Sequence, residues 1–366
     1  MADPIVIRKL PPVWFIRALN SFRSGLLNLH RTTFPPNVVM YERFTSFWVL
    51  AAIRVASELD IAGILGKQPL SIEQLSERTG SDPQALFRMM RALSSEKIFK
   101  RTKDGLYKNT KLSKVLTEGK GSLRYTLMQH LGTINWTIFN DLSYSIKTGK
   151  SAFSNIYGMN IYEYLSEHPV ESALFDRSMT NLSEISIEPV LSAFDFSKYG
   201  VIADIGGGEG LLLSSILYKN KNSRGILFDL PEGLNHPEMI FGKFGVGDRV
   251  QVIQGNFFTT APAGADVYLL KNILHNWSFQ ESVKILSNIR NVMSFHAKIL
   301  ILEMIVDEEN HASFGKLIDL QMMVFMEEGK ERSRKEFESL LQHAGLRLNR
   351  IIRTIAPISI IEAVIS

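Results

Sequence analysis

The segment Asp204-Ile-Gly-Gly-Gly-Glu-Gly210 sets four glycines between one apolar run and the start of another. Glycine lets a backbone approach a ligand more closely than any side chain allows. Gly206, Gly207, Gly208 and Gly210 therefore suit the wall of a cofactor site at a strand-to-helix turn. A dinucleotide fingerprint needs its third glycine at 211, where this chain has Leu211, so the spacing disfavours NAD and FAD and suits a cofactor without a pyrophosphate. An ordinary tight turn would use the same glycines. Asp229 ends the next β-rich run, where a carboxylate can accept both hydroxyls of a ribose. Asn256 and Phe257, in GNFF at 255–258, can bond and stack on an adenine, or they shape a loop.

His275 lies in LLKNILHNW at 269–277, just past a fourth β-rich run and beside the expected cofactor edge, where an imidazole can serve as general base. A lone histidine is more often structural, and only this placement argues for chemistry. Glu303 closes the apolar run KILILE, where burial of a carboxylate is costly without a partner; His275 is the expected one. With no cysteine, disulfides, thiolate zinc sites and cysteine nucleophiles are excluded. No metal site is expected.

The elements that must position these groups fall into three stretches. Apolar residues recur at helical spacing from Pro35 through Phe44, Phe47, Trp48, Ala51 and Val55, which predicts a helix continuing to Leu65 before Gly66. A short helix at 71–78, a Thr79-Gly80-Ser81 turn, a helix capped by Asp82 and a hairpin around Lys103-Asp104-Gly105 follow, in winged-helix order. Residues 120–195 read as helices rich in aromatic residues, among them Trp136, Phe139 and Phe175. From Tyr199 onward, β-rich runs at 201–204, 225–229, 250–253, 266–270 and 298–303 alternate with helices. That pattern predicts an α/β, Rossmann-like, doubly wound parallel sheet. The last two β-rich runs, split by Ala356-Pro357, leave no room for a crossover and must pair antiparallel. The expected domains are 1–118, 119–195 and 196–366.

Taken together, DIGGGEG, Asp229-Leu230-Pro231, LLKNILHNW, the Glu303 run and EGKERSRKEF at 328–337 make the chain resemble the plant and bacterial small-molecule O-methyltransferases that include the caffeate, acetylserotonin and anthracycline enzymes. The resemblance covers nearly the whole length. It implies an S-adenosylmethionine cofactor and His275 as base, with Glu303 and Glu331 as orienting carboxylates. Gly206, Gly208, Asp229, Asn256, Phe257, Lys271 and Ser183 would line the cofactor. Trp136, Phe139, Phe175, Met179, Met322, Met323 and Met326 would line a small, largely apolar acceptor. His130, near Trp136, can hydrogen-bond a polar acceptor or be structural. The resemblance also implies that the N-terminal domain forms a homodimer. Two departures stand out: Asn256 and Asn276 occupy positions where the family has Asp. The first bears on the adenine contact, the second on the local helix cap.

The net charge of +4 hides a basic N-terminal third, with 18 Lys and Arg against 10 Asp and Glu in residues 1–118, which admits a DNA-binding regulator. Its recognition helix, 83–95, however carries Leu86, Phe87, Met89, Met90 and Leu93 with only Arg88 and Arg91, and no nucleic-acid partner is expected. Some relatives keep the cofactor site without methylating; His275, Glu303 and Glu331 together argue for methylation. Met1–Leu10 lacks a signal peptide's apolar core, and Phe47–Ile53, the longest apolar run, stops at Arg54. A cytoplasmic protein without a membrane span is expected.

Overall fold

The computed structural model describes residues 11–309 and 313–366. Met1–Leu10 lies outside the described residues. The described residues form two compact units, one comprising Asn20–Asn140 and Tyr162–Glu184, the other residues 11–19, Asp141–Ile161 and the described part of Ile185–Ser366.

In the first unit the long apolar helix is broken. Pro36–Glu58 and Ile61–Leu65 are separate helices, because Asp60 takes a left-handed conformation (φ 50°) and its carboxylate meets Arg124 Nη1 at 2.8 Å. Apolar periodicity runs on across this break, so it could not reveal the break. Ser71 and Gln74 form a capping box at the start of Ile72–Thr79, and Asp82 caps Pro83–Ser95 through Ala85 N. Leu86, Met90 and Leu93 are buried. Strands β1 (Phe99–Arg101) and β2 (Tyr107–Asn109) complete the hairpin.

The second unit is a three-layer α/β domain. Strands β3 (Val201–Ile205), β4 (Arg224–Asp229), β5 (Val250–Gln254), β6 (Val267–Lys271) and β7 (Lys298–Glu303) are parallel. Two further pieces, β8 (Ile305–Val306) and β9 (Arg332–Ser333), pair parallel with each other. β10 (Leu346–Arg353) and β11 (Ser359–Ile365) pair antiparallel, and β11 runs antiparallel to β7. The sheet order is β10-β11-β7-β6-β3-β4-β5, as the expected doubly wound sheet with an antiparallel C-terminal edge requires.

Alternation along each strand fills both faces. Ala203, Tyr268 and Ile301 point to one core with the helices Phe279–Val292 and Arg334–His343, while Ile202, Leu269 and Leu300 point to the other with Leu211–Lys219. The chain leaves β3 toward β4 on one side and returns to β6 on the other. The crevice of this switch point opens at the strands' carboxyl ends. No helix among the described residues is long and apolar enough to cross a membrane.

Candidate active site

His275 sits on a short turn, Leu274–Asn276, just beyond β6. The chain enters the turn through Asn272 in a left-handed conformation (φ 52°) and leaves it into the helix Phe279–Val292. Ser278 and Glu281 cap that helix as a capping box, so residue 276 is not its cap, contrary to the sequence expectation. Asn276 instead donates Nδ2 to Asn272 O at 3.2 Å, bracing the strained entry of the turn.

The segment 330–332 wraps the same turn. Lys330 N donates to His275 O at 2.8 Å, and Glu331 Oε1 lies 2.9 Å from His275 Nδ1. Arg332 donates Nη1 to Leu274 O at 2.6 Å and Nη2 to Trp277 O at 2.7 Å. The parallel pairing of β8 with β9, Ile305 opposite Arg332, draws the end of β7 to this segment. Glu303 thereby reaches His275, but at its main chain: Oε1 accepts from His275 N at 3.1 Å. Its partner is His275, as expected, though the contact is not with the ring.

A carboxylate on Nδ1 places the ring proton there and leaves Nε2 its lone pair. Burial pulls the imidazole pKa down, but the Glu331 hydrogen bond and the charges of Glu303 and Glu331 outweigh it, so His275 titrates above its usual range. Glu303 and Glu331 are both buried, and Oε2 of each has no hydrogen-bond partner among the described residues. Burial raises Glu303 above the usual carboxylate range, against the pull of His275.

At the glycine turn, two causes separate. A Cβ on Gly206 (φ +67°) would lie 2.6 Å from Ile273 Cδ1, one on Gly207 2.6 Å from Leu227 Cδ1, and one on Gly210 2.9 Å from Phe241 Cε1. Neighbouring side chains already crowd these three positions. Gly208 (φ +56°) differs, since nothing but Gly233 O, at 3.9 Å, stands near where its Cβ would be. Its N–H donates to Asp229 Oδ2 at 2.8 Å, and Leu230 N donates to Oδ1 at 2.7 Å. Each oxygen keeps a further lone pair for a ribose hydroxyl, so the turn fits an adenosyl-type cofactor. Burial raises the Asp229 pKa, and these two N–H groups temper the rise.

Phe257 reaches this turn: its Cε1 would lie 3.5 Å from a Cβ on Gly206, and its ring meets Phe258 and Trp277 edge-on. Asn256 Oδ1 accepts from Phe258 N at 2.8 Å, a local turn bond that leaves this oxygen one lone pair to accept from an adenine amino group. Lys271, at the end of β6, is paired electrostatically with buried Asp204 on β3. Burial pushes the lysine down to about 8 and the aspartate up to about 7, each tempered by the other.

The remaining expected residues are spread over both units. In the first, Trp136 donates Nε1 to Leu131 O at 2.6 Å and packs on Phe47, and Phe139 lies exposed on the same helix, Thr133–Asn140. Phe175, Met179 and Ser183 are half-buried on Pro169–Ala193. His130 Nδ1 faces Thr126 O at 2.9 Å, and burial lowers its pKa, so the ring is neutral with Nε2 as acceptor. In the second unit, Met322 is buried and Met323 half-buried on Phe314–Phe325, with Met326 half-buried at its end. Sequence reasoning missed Asp319 on that helix, whose Oδ1 accepts from Glu331 N at 2.8 Å, and it missed Arg332. The motif EGKERSRKEF pointed to the segment but not to the arginine.

Comparison with known proteins now decides the family. Residues 139–347 match the model of the O-methyltransferase domain, and residues 41–119 match the O-methyltransferase dimerisation domain. The chain belongs to the O-methyltransferase family. It is 34% identical over 330 residues to phenazine O-methyltransferase PhzM of Lysobacter antibioticus, covering 90% of this chain and 96% of the relative. The crystal structure of LaPhzM has a TM-score of 0.85 at 34% identity, covering 91% of this chain and 100% of that one. NcsB1, an O-methyltransferase from neocarzinostatin biosynthesis solved with S-adenosylmethionine and 2-hydroxy-5-methyl naphthoic acid, has a TM-score of 0.73 at 29% identity, covering 87% and 96%. The dimerisation match begins in an apolar stretch of this O-methyltransferase: Tyr41, Phe44, Phe47 and Trp48 are all at least half exposed.

Proposed function

We propose that this O-methyltransferase moves a methyl group from S-adenosylmethionine to a hydroxyl of a small aromatic or largely apolar acceptor of the secondary-metabolite kind, with His275 as general base. The observation that carries the reading is the 2.9 Å His275–Glu331 hydrogen bond on the turn that follows β6, at the carboxyl edge of the sheet. The acceptors and donor named for the relatives support the substrate class. S-adenosylmethionine supplies an electrophilic methyl group on a positively charged sulfur. Asp229 takes the ribose, Gly208 leaves room for close approach, and Asn256, Phe257 and Lys271 complete the cofactor site within this unit.

A phenol of pKa ~10 and an imidazole of pKa ~6.5 differ by roughly 3.5 units, or about 5 kcal/mol for complete proton transfer. Glu331 narrows that gap by holding the Nδ1 proton and favouring the imidazolium, so Nε2 can take the hydroxyl proton as the oxygen is methylated. Orientation of the acceptor contributes more, roughly 7 to 11 kcal/mol against about 10² to 10⁴-fold for the base. Met322, Met323 and Met326 are assigned to acceptor recognition within their own unit.

Incubating the pure protein with S-adenosylmethionine and a panel of phenols tests the reading: S-adenosylhomocysteine should form together with methylated product. Conversion of an acceptor with no S-adenosylhomocysteine would replace it with a non-methylating reaction. The exposed Tyr41–Trp48 face also supports a homodimer, and a monomer by light scattering at micromolar concentration would sink that assignment.

A further inference from the structure

Among the described residues Arg332 is the largest side chain almost wholly removed from solvent, 1% exposed. A buried guanidinium costs more than an apolar side chain of equal volume, and hydrophobic replacement of such groups is often harmless to stability. Its three hydrogen bonds show where it acts. Nη1 and Nη2 take the carbonyls of Leu274 and Trp277, one on each side of His275, and Nη2 also reaches Ser282 Oγ at 3.1 Å. None of these partners is a carboxylate, yet two buried carboxylates, Glu303 and Glu331, lie within its field. A planar fork that spans two carbonyls is something a lysine cannot reproduce.

We propose that Arg332 is a positioning residue for the methyl transfer. Its guanidinium clamps the turn that aims His275, and its charge lets Glu303 and Glu331 remain buried together. The inference rests on His275 being the base. The charged groups around the imidazole are Glu303 from β7, Glu331 and Arg332 from the segment ending in β9, and Asp319, which holds Glu331 N from the helix Phe314–Phe325. Lys330 and Glu336 pair at the rim.

Two variants separate clamp from charge. Arg332→Lys keeps the charge and loses the fork; Arg332→Met loses both. In histidine- and glutamate-labelled full-length protein, the resonances of His275 and Glu303, identified by their loss in His275→Gln and Glu303→Gln, are followed across pH by NMR. In Arg332→Lys the titrations should stay near those of the wild type, while kcat falls about 10²-fold and the acceptor KM stays within about twofold, as expected for a misaimed base. In Arg332→Met at least one of the two titrations should move to higher pH, because a positive charge has left the cluster. A folded Arg332→Met in which neither moves overturns the electrostatic half. An Arg332→Lys with kcat within about threefold of wild type overturns the clamp, and this arm holds even where the methionine variant fails to fold. Failure of the base reading looks different: His275→Ala would keep its turnover while the Arg332→Met titration still moved.

Discussion

Glu303 holds His275 by its backbone, Oε1 to N at 3.1 Å, whereas Glu331 holds it by the ring, Oε1 to Nδ1 at 2.9 Å. The two carboxylates therefore have separable effects. Glutamine at 303 keeps an oxygen for the His275 N–H and removes one of two neighbouring buried charges, so Glu303→Gln should lose less than about tenfold in kcat. Glutamine at 331 removes the charge that stabilises the imidazolium, and Glu331→Gln should lose about 10²-fold or more. Steady-state kinetics with any turned-over phenol ranks them, and equal losses would refute the division.

His275→Ala should lose about 10² to 10⁴-fold in kcat while S-adenosylmethionine affinity stays within about threefold of wild type. The imidazole is bonded to Glu331, and the His275 main chain to Glu303 and Lys330, whereas Asp229 is bonded to Gly208 and Leu230, which explains the separation. Calorimetry showing that donor binding vanishes with the imidazole would assign His275 a structural task.

Three of the parallel strands were legible because both their faces are covered, so they read as largely apolar runs closed by a glycine or an acid: Val201 to Gly206, Gly225 to Asp229, Lys298 to Glu303. Burial of Glu303 was legible for the same reason, as a carboxylate ending such a run. Which atom of His275 it would meet was not, because that depends on how β8 pairs with β9, two residues each and far apart in the chain. Arg332 was hidden more thoroughly. Within Lys330-Glu-Arg-Ser-Arg-Lys335 it looks like one cation of a solvated run, and only the folded turn Leu274–Trp277 supplies the carbonyls that bury it. The left-handed Asp60 was hidden because helical periodicity continues on both sides of it.

The buried cluster also sets a pH dependence. With its pKa above the usual imidazole value, His275 is lost as a base at a higher pH than a free histidine, so the acidic limb of kcat/KM should lie above ~6.5. Stability follows the same sign. Glu303 and His275 both bind protons more tightly when folded, so their contribution is complete below their unfolded values and declines as pH rises through the folded ones. Glu303→Gln loses that contribution, so its Tm should fall more steeply than the wild type's as buffers go from neutral to acidic. Identical Tm slopes in the two proteins would show that Glu303 titrates normally.

Gly206 and Gly208 give opposite outcomes when each is made alanine, and the contrast separates a packing turn from a ligand site. Both have positive φ, so each alanine costs about 1 to 2 kcal/mol of backbone strain. At Gly206 the methyl would also meet Ile273 Cδ1 at 2.6 Å, and the main loss in Gly206→Ala should be in Tm. At Gly208 the methyl meets nothing closer than 3.9 Å, so Gly208→Ala should unfold only a few degrees early. A cofactor lying over that open position would be pushed off it, and donor affinity should fall about tenfold or more, beyond what strain explains. Unchanged S-adenosylmethionine binding in Gly208→Ala, measured by calorimetry, would mean that the open space at Gly208 faces solvent and not the donor.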